Sequence, residues 1–291
     1  MANVSQHPAL TDPEYKTPGK SRGLLSVFND PYLMTLIVKK GIKTRYYGSA
    51  LGWAWSYVRP FAQFCMYWIV FSLFLKVDRD IENFPLYLFS GLIVVNLFGE
   101  IFRNTTSAIV DNSSLVKKIF LPRELFPVAA VGVALVHFMP QVVILVIVAL
   151  FFGLSFSWLQ IAAFVAAVLL LVIWTLGLGL FFGAINVKHR DSRNIVDLIL
   201  MFSTWGSPVI YSWSMVQRAF PDWLFHIYMA NPATAAVELF HYAFWAPTAT
   251  APDLAPNLLT YSGAALGLGI VALLIGQLVF KKTEGTFAQH L

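Results

Sequence analysis

The chain has 291 residues, of which 58% are hydrophobic and only 12% charged, too few to cover the surface of a water-soluble domain, where about 25% is usual. Its net charge of +5 follows membrane topology rather than forming a nucleic-acid-binding face. The lone cysteine, Cys65, excludes an internal disulfide framework and reads as a small hydrophobe in an apolar run.

Residues 1–29 are polar and proline-containing and read as a flexible cytoplasmic tail. They lack the apolar core of a signal peptide. Gly19-Lys20-Ser21 resembles the end of a phosphate-binding loop, but Glu14 stands where that loop needs glycine. No nucleotide site is therefore expected in this chain.

Residues 30–56 read as an amphipathic interface helix. At about 100° per residue, Lys39, Lys40 and Lys43 share one arc, and Leu33, Met34, Ile37, Val38 and Ile42 take the other side. Such a helix lies in the inner membrane surface, with its lysines toward anionic lipid headgroups. Arg45 falls among the apolar positions beside Tyr46 and Tyr47, where a guanidinium needs a partner; a phosphate would serve.

A spanning helix needs about 20 mostly apolar residues. Tyr57–Leu75 and Phe84–Phe102 supply the first two. Along the first, Tyr57, Phe61, Phe64, Trp68 and Phe71 form an aromatic stripe, suited either to stacking on sugar rings or to packing against lipid and neighbouring helices. Near the end of the second, Glu100 and Arg103 are spaced to pair within the helix. Leu125–Val187 runs 63 residues without Asp, Glu, Lys or Arg. That is far longer than a bilayer at about 1.5 Å per residue. It must fold back, at Phe152-Gly153-Leu154-Ser155, into spans three and four. Ile195–Tyr211 is the fifth span, kinked at Gly206-Ser207-Pro208, and Leu258–Phe280 the sixth. Trp223–Trp245 is apolar but interrupted by Asn231-Pro232 and by His226, Glu238 and His241. Because a proline and ionisable groups are costly in lipid, it reads as two short re-entrant helices on the outer side. The expected fold class is thus an all-α integral membrane protein with six transmembrane helices in a membrane domain of residues 57–291.

Orientation follows from charge. Of the 20 Lys and Arg residues, only Lys76, Arg79 and Arg218 fall in the proposed outer loops, which places both termini in the cytoplasm. Two cytoplasmic loops carry docking features: Asp111–Glu124, with Leu115, Val116, Lys117, Lys118, Ile119 and Phe120, and Val187–Arg193, with Lys188, Arg190 and Asp191. The scattered histidines show no metal-ligand spacing, so no metal is expected.

Three stretches together resemble the permease subunit of the ABC-2 class of ATP-driven transporters, in its polysaccharide-exporting branch for O-antigen, capsule, teichoic acid and galactan. They are Lys43-Thr44-Arg45-Tyr46-Tyr47-Gly48-Ser49-Ala50-Leu51-Gly52-Trp53-Ala54-Trp55 through Pro60, then Asn112 to Glu124, then Arg190-Asp191 through Ser207-Pro208-Val209-Ile210-Tyr211 to Asn231-Pro232. The resemblance implies a homodimer with a pore between two copies, and two separate ABC ATPase subunits that bind ATP and Mg beneath it. It implies a bacterial plasma (inner) membrane location and a polysaccharide carried on polyprenyl diphosphate. Lys43, Arg45 and Arg59 would then meet the lipid headgroup, and the aromatic stripe would line the pore. Leu115–Phe120 and Lys188, Arg190, Asp191 and Arg193 would couple to the ATPase. Trp223, Phe225 and Tyr228 would belong to an outer gate. The family often has an acidic residue where Gly41 stands, a departure that bears on interface-helix contacts with the ATPase. The alternative reading is an ABC-2 permease for small lipids or drugs. A membrane enzyme or an ion-coupled transporter would place ionisable residues deep in the spans, which the charge-free run of spans three and four disfavours.

Overall fold

The structure is a computed structural model that describes residues 23–76, 81–118 and 121–291. Every regular element among the described residues is helical. Four helices there are long and apolar enough to cross a bilayer: α3 (Phe84–Asp111), α5 (Leu125–Phe151), α6 (Trp158–Lys188) and α11 (Leu258–Thr283). The other two expected spans are less regular. The first is α2 (Trp55–Trp68), continued by a π-helical turn over Ile69–Phe74. The fifth is α7 (Ser192–Trp205), which ends before Gly206, its last residue six short of the expected end at Tyr211. Its 14 residues reach about 21 Å, less than the ~30 Å hydrocarbon core.

The charge-free run breaks where turn chemistry demands. Gly153 takes a left-handed φ of 85°, a conformation open to glycine at little cost. Ser157 then caps α6, its backbone N–H donating to Gln160 Oε1 at 2.7 Å in a reciprocal capping box. Trp223–Trp245 forms α9 (Asp222–Ala230) and α10 (Pro232–Phe240), which runs on as a π-helical turn. Asn231 separates them and caps α10 by accepting from the Ala233 N–H at 3.1 Å, with Pro232 at the first helical position. All nine residues of α10 are buried.

Helix α3 is the central element, with nineteen of its 28 residues buried. It packs against α5, α6, α7 and α10. Its helix continues past Phe102, where the Thr105 hydroxyl bonds to the preceding turn and Thr106 lies buried beside it. Thr105 Oγ1 donates to the Ile101 carbonyl at 2.7 Å, and Gly179 and Gly183 of α6 leave room for the two threonines. Helices α6 and α11 approach still more closely. A Cβ on Gly276 would run into the Gly177 carbonyl oxygen, and one on Gly177 would overlap the Leu273 backbone. Glycine-mediated approach of this kind is the usual means by which apolar helices associate in lipid.

Two apolar clusters occupy opposite ends of the bundle. One joins the first half of α3 to α5, α6 and α10, around Phe98, Phe138, Leu170 and Phe240. The other gathers Ile109, Val116, Phe126, Val187, Phe280 and Phe287 beneath the short helix α4 (Ser113–Lys118). Val27, in a 3₁₀ turn over Leu24–Asn29, is also buried in the second cluster, so chain packing begins ahead of the amphipathic helix.

That helix is α1 (Pro31–Arg45). Its lysines are exposed as the periodicity predicts, and on its apolar side Ile37 is buried while Leu33, Met34 and Val38 pack partly against the second cluster. Gly41 and Gly132 bring α1 and α5 together: a Cβ on Gly41 would lie 2.8 Å from Val133 Cγ2, and one on Gly132 3.0 Å from Val38 Cγ2. Gly41 therefore faces α5, and an acidic side chain there would be driven into Val133.

The glycine contacts generate a paired expectation. Gly276→Ala should destabilise the protein by about 1–3 kcal/mol through overpacking, lowering its thermal midpoint in detergent. Gly263→Ala, where the added methyl meets nothing within 4 Å, should leave the midpoint unchanged. Equal midpoints for the two variants would contradict this packing.

Candidate functional site

Four side-chain bridges join other elements to the α4 half of α3. Arg45 on α1 pairs with Glu100 on α3, the guanidinium donating to Oε1. The Glu100 side chain is only 16% exposed, so its charge needs a partner. Lys40 Nζ donates to Asn112 Oδ1 at 2.8 Å, one helical stretch further along the same two elements. Arg193 at the start of α7 donates to Asp111 Oδ1 at 2.8 Å, and Arg103 Nε to Asp197 Oδ1 at 2.7 Å. Helix α3 thus anchors α1 on one side and α7 on the other, each through two polar bridges. The expected Glu100–Arg103 pair does not form: Glu100 faces α1 while Arg103 reaches across to α7.

Between α1, α3 and α5 lies a cleft of about 440 Å³, lined by Lys40, Thr44, Arg45, Asn104, Ser107 and Asn112 among others. Beyond it the chain turns back over residues 46–54, with Gly48 and Gly52 at φ 74° and 48°, and enters α2. This turn is fastened to a buried histidine on α5. Trp53 Nε1 donates to His137 Nδ1 at 3.0 Å, and the hydroxyls of Tyr46 and Ser56 lie 3.2 and 3.4 Å from the same nitrogen. An indole N–H only donates, so Nδ1 carries the lone pair and the ring proton sits on Nε2. His137 Nε2 is buried without a hydrogen-bond partner.

Helix α2 buries none of its residues. Of the aromatic stripe, Phe61 and Trp68 are exposed, while Tyr57, Phe64 and Phe71 are half-buried. Phe64 meets Phe89 of α3 edge to face, with ring centres 5.4 Å apart. The stripe therefore runs along the edge of the α2–α3 contact and presents aromatic surface outward. Lys43, Arg45 and Arg59 are all exposed, and Arg45 is the one of the three that pairs with a carboxylate of the bundle, Glu100.

At the α4 end, Lys117 and Lys118 are exposed, whereas Val116 is buried in the chain's own core and Leu115 packs beside it. Ile119 and Phe120 lie outside the described residues. Lys188, Arg190, Asp191 and Arg193 are exposed, and the Arg193–Asp111 bridge ties their loop to the start of the α4 loop. At the opposite end, Phe225 is buried with Met229 and with Val216 of α8 (Trp213–Ala219) in a small separate cluster, its ring centre 6.3 Å from that of Trp213. Trp223 is exposed and Tyr228 half-buried.

Sequence reading counted His137 only among the scattered histidines and did not single out Gln141. Both interrupt the longest apolar run one helical turn apart, which was the available signal. A polar residue in such a run needs a partner on another element, and His137 finds three.

Compared with known proteins, residues 32–245 match the family model described as ABC-2 type transporter. The O-antigen export system permease protein RfbA of Klebsiella pneumoniae is 26% identical over 261 residues, covering 89% of this chain and 95% of that protein. RfbA of Myxococcus xanthus is 26% identical over 259 residues, with the same coverage. The polysialic acid transport protein KpsM of Escherichia coli is 23% identical over 202 residues, covering 68% of this chain and 75% of its own length.

Arg45→Ala strands the Glu100 carboxylate and should cost about 1–3 kcal/mol, below the figure for a fully buried pair because Arg45 is partly exposed. Adding Glu100→Gln should recover most of that loss. A double-mutant cycle on thermal unfolding measures the coupling; additive losses would show that the pair contributes nothing.

Proposed function

The chain belongs to the ABC-2 type transporter family, and we propose that it is the membrane subunit of an ATP-driven exporter that carries a polysaccharide on a polyprenyl diphosphate out of the cytoplasm. The observation that carries this reading is the match along 95% of the length of O-antigen export permeases. Family membership implies work with an ABC ATPase, which binds ATP and Mg; this chain contributes the passage.

In this reading two copies form a homodimer in the bacterial inner membrane, each crossing six times with both termini inside. Helix α2 with its π-helical turn and α7 with the segment after it supply the first and fifth crossings. The absence of any buried residue on α2 supports a partner on that side. The positive-inside asymmetry supports the orientation, and it puts α9 and α10 at the outer face as gate elements. The aromatic stripe, from Tyr57 through Phe61, Phe64 and Trp68 to Phe71, lines the glycan path, where flat faces hold sugar rings without fixing any one of them. Lys43 and Arg59 at its inner mouth attract the diphosphate. The ATPase docks on Lys117, Lys118 and the Lys188–Arg193 loop, and the Arg193–Asp111 and Lys40–Asn112 bridges carry its movement to α3 and α1.

Depletion of this subunit should make a lipid-linked glycan accumulate in the cytoplasmic leaflet, detected by lipid extraction and mass spectrometry. Accumulation of a small lipid or drug instead would overturn the polysaccharide assignment. Lys117→Glu with Lys118→Glu should cut co-purification of the ATPase several-fold while leaving the permease folded; unchanged recovery would move the docking surface elsewhere. A cysteine in place of Trp223 should react with an impermeant maleimide on intact cells, and labelling only after lysis would invert the topology.

A further inference from the structure

A second cleft, of about 220 Å³, opens between α2, α3 and α5. Tyr57, Phe61 and Phe89 supply aromatic walls, Ile144 an aliphatic one, and Gln141 the polar group. Phe61 is 64% exposed at its rim, whereas Gln141 is 93% buried, at 7% exposure. The Gln141 amide is half-satisfied. Its Nε2 donates weakly to the His137 carbonyl at 3.4 Å, and Oε1 is buried with no hydrogen-bond partner. A buried carbonyl oxygen left unpaired among apolar walls is unfavourable, and because Oε1 has almost no accessible surface, a donor in the cleft meets it only when the Gln141 amide turns toward the cleft. None of the residues named here is charged, which disfavours an ionic ligand. An isoprenyl or acyl chain would fill the apolar walls but has no donor for Oε1. The volume lies below the ~300 Å³ at which pockets for drug-sized molecules begin, and suits one ring rather than a chain.

We propose that this cleft is a binding subsite for a single neutral, hydroxyl-bearing ring, a monosaccharide unit, held against Tyr57, Phe61 and Phe89 with one hydroxyl donating to Gln141 Oε1. The proposal rests on the reading of the aromatic stripe as the glycan path and gives that path one fixed polar stop. Elsewhere on the stripe a ring slides on apolar faces; beside Gln141 it meets a directional contact. Gln141 acts here as a specificity-determining residue, distinguishing a free hydroxyl from a methylated one.

The test uses the full-length permease with its ATPase in lipid nanodiscs and saturation-transfer NMR. The probes are methyl hexopyranosides with free hydroxyls and their fully O-methylated counterparts. Wild type should bind the free sugars about tenfold better than the methylated ones, the loss expected for an unmet buried acceptor. Gln141→Met, matched in length, should erase that preference, and Gln141→Leu serves if the methionine variant does not assemble. Phe61→Ala should weaken both probe classes. No preference in wild type, or an intact preference in the Gln141 variants, overturns the subsite. If Phe61→Ala also leaves binding untouched, the glycan path itself has been placed wrongly, a result distinguishable from failure of the Gln141 contact alone.

Discussion

A carboxylate on a helix sunk among apolar side chains must be met by a cation, and the arrangement of the α4 end of this protein follows from how Glu100 is met. The cation is Arg45, on an amphipathic helix that precedes the bundle. Their pairing sets α1 alongside α3, and the glycines at 41 and 132 let α1 settle against α5 in the same step. Once α1 is placed, the chain has nine residues in which to reverse before α2 begins. Two left-handed glycines make that turn feasible, and His137 receives it. The position of α2, and with it the aromatic stripe, thus descends from one buried charge.

The parts of the fold legible in the sequence were those governed by local rules. The charge-free run had to break near Gly153 because that glycine divides it into two lengths that can each span a bilayer, whereas Gly132, Gly177, Gly179 and Gly183 lie too near its ends, and Asn231-Pro232 had to end one helix and start another. The amphipathic face of α1 was equally plain. What covers that face was not, because a stripe of Ile, Val and Leu looks the same to lipid as to another helix. The length of α3 was underestimated for a related reason. Thr105, Thr106 and Ser107 read as the end of an apolar run, yet the Thr105 hydroxyl bonds to the preceding turn, and the glycines that shelter Thr105 and Thr106 lie on α6.

Among the site residues, the need of Arg45 for an anion could be read from its place among apolar positions. The identity of that anion could not, since Glu100 lies 55 positions away and a nearer cation, Arg103, competed for it on paper. Val116 illustrates the same limit in reverse. An apolar residue in a charged loop suggests an external partner, but here the partner is the chain's own Phe126 and Phe280 cluster. Exposed Lys117 and Lys118 lie on the residues that follow it, so the burial of Val116 orients the short helix and fixes which side its charges present.

The contact between Gly177 and Gly276 has a consequence for biogenesis. Its two halves lie about a hundred residues apart, and ribosomes add roughly 5–20 residues each second. For on the order of ten seconds, then, α6 sits in the membrane with a bare backbone groove and no helix to fill it. During that interval other small-residue helices compete for the same groove. The nascent chain becomes a single settled species only when its last long helix arrives.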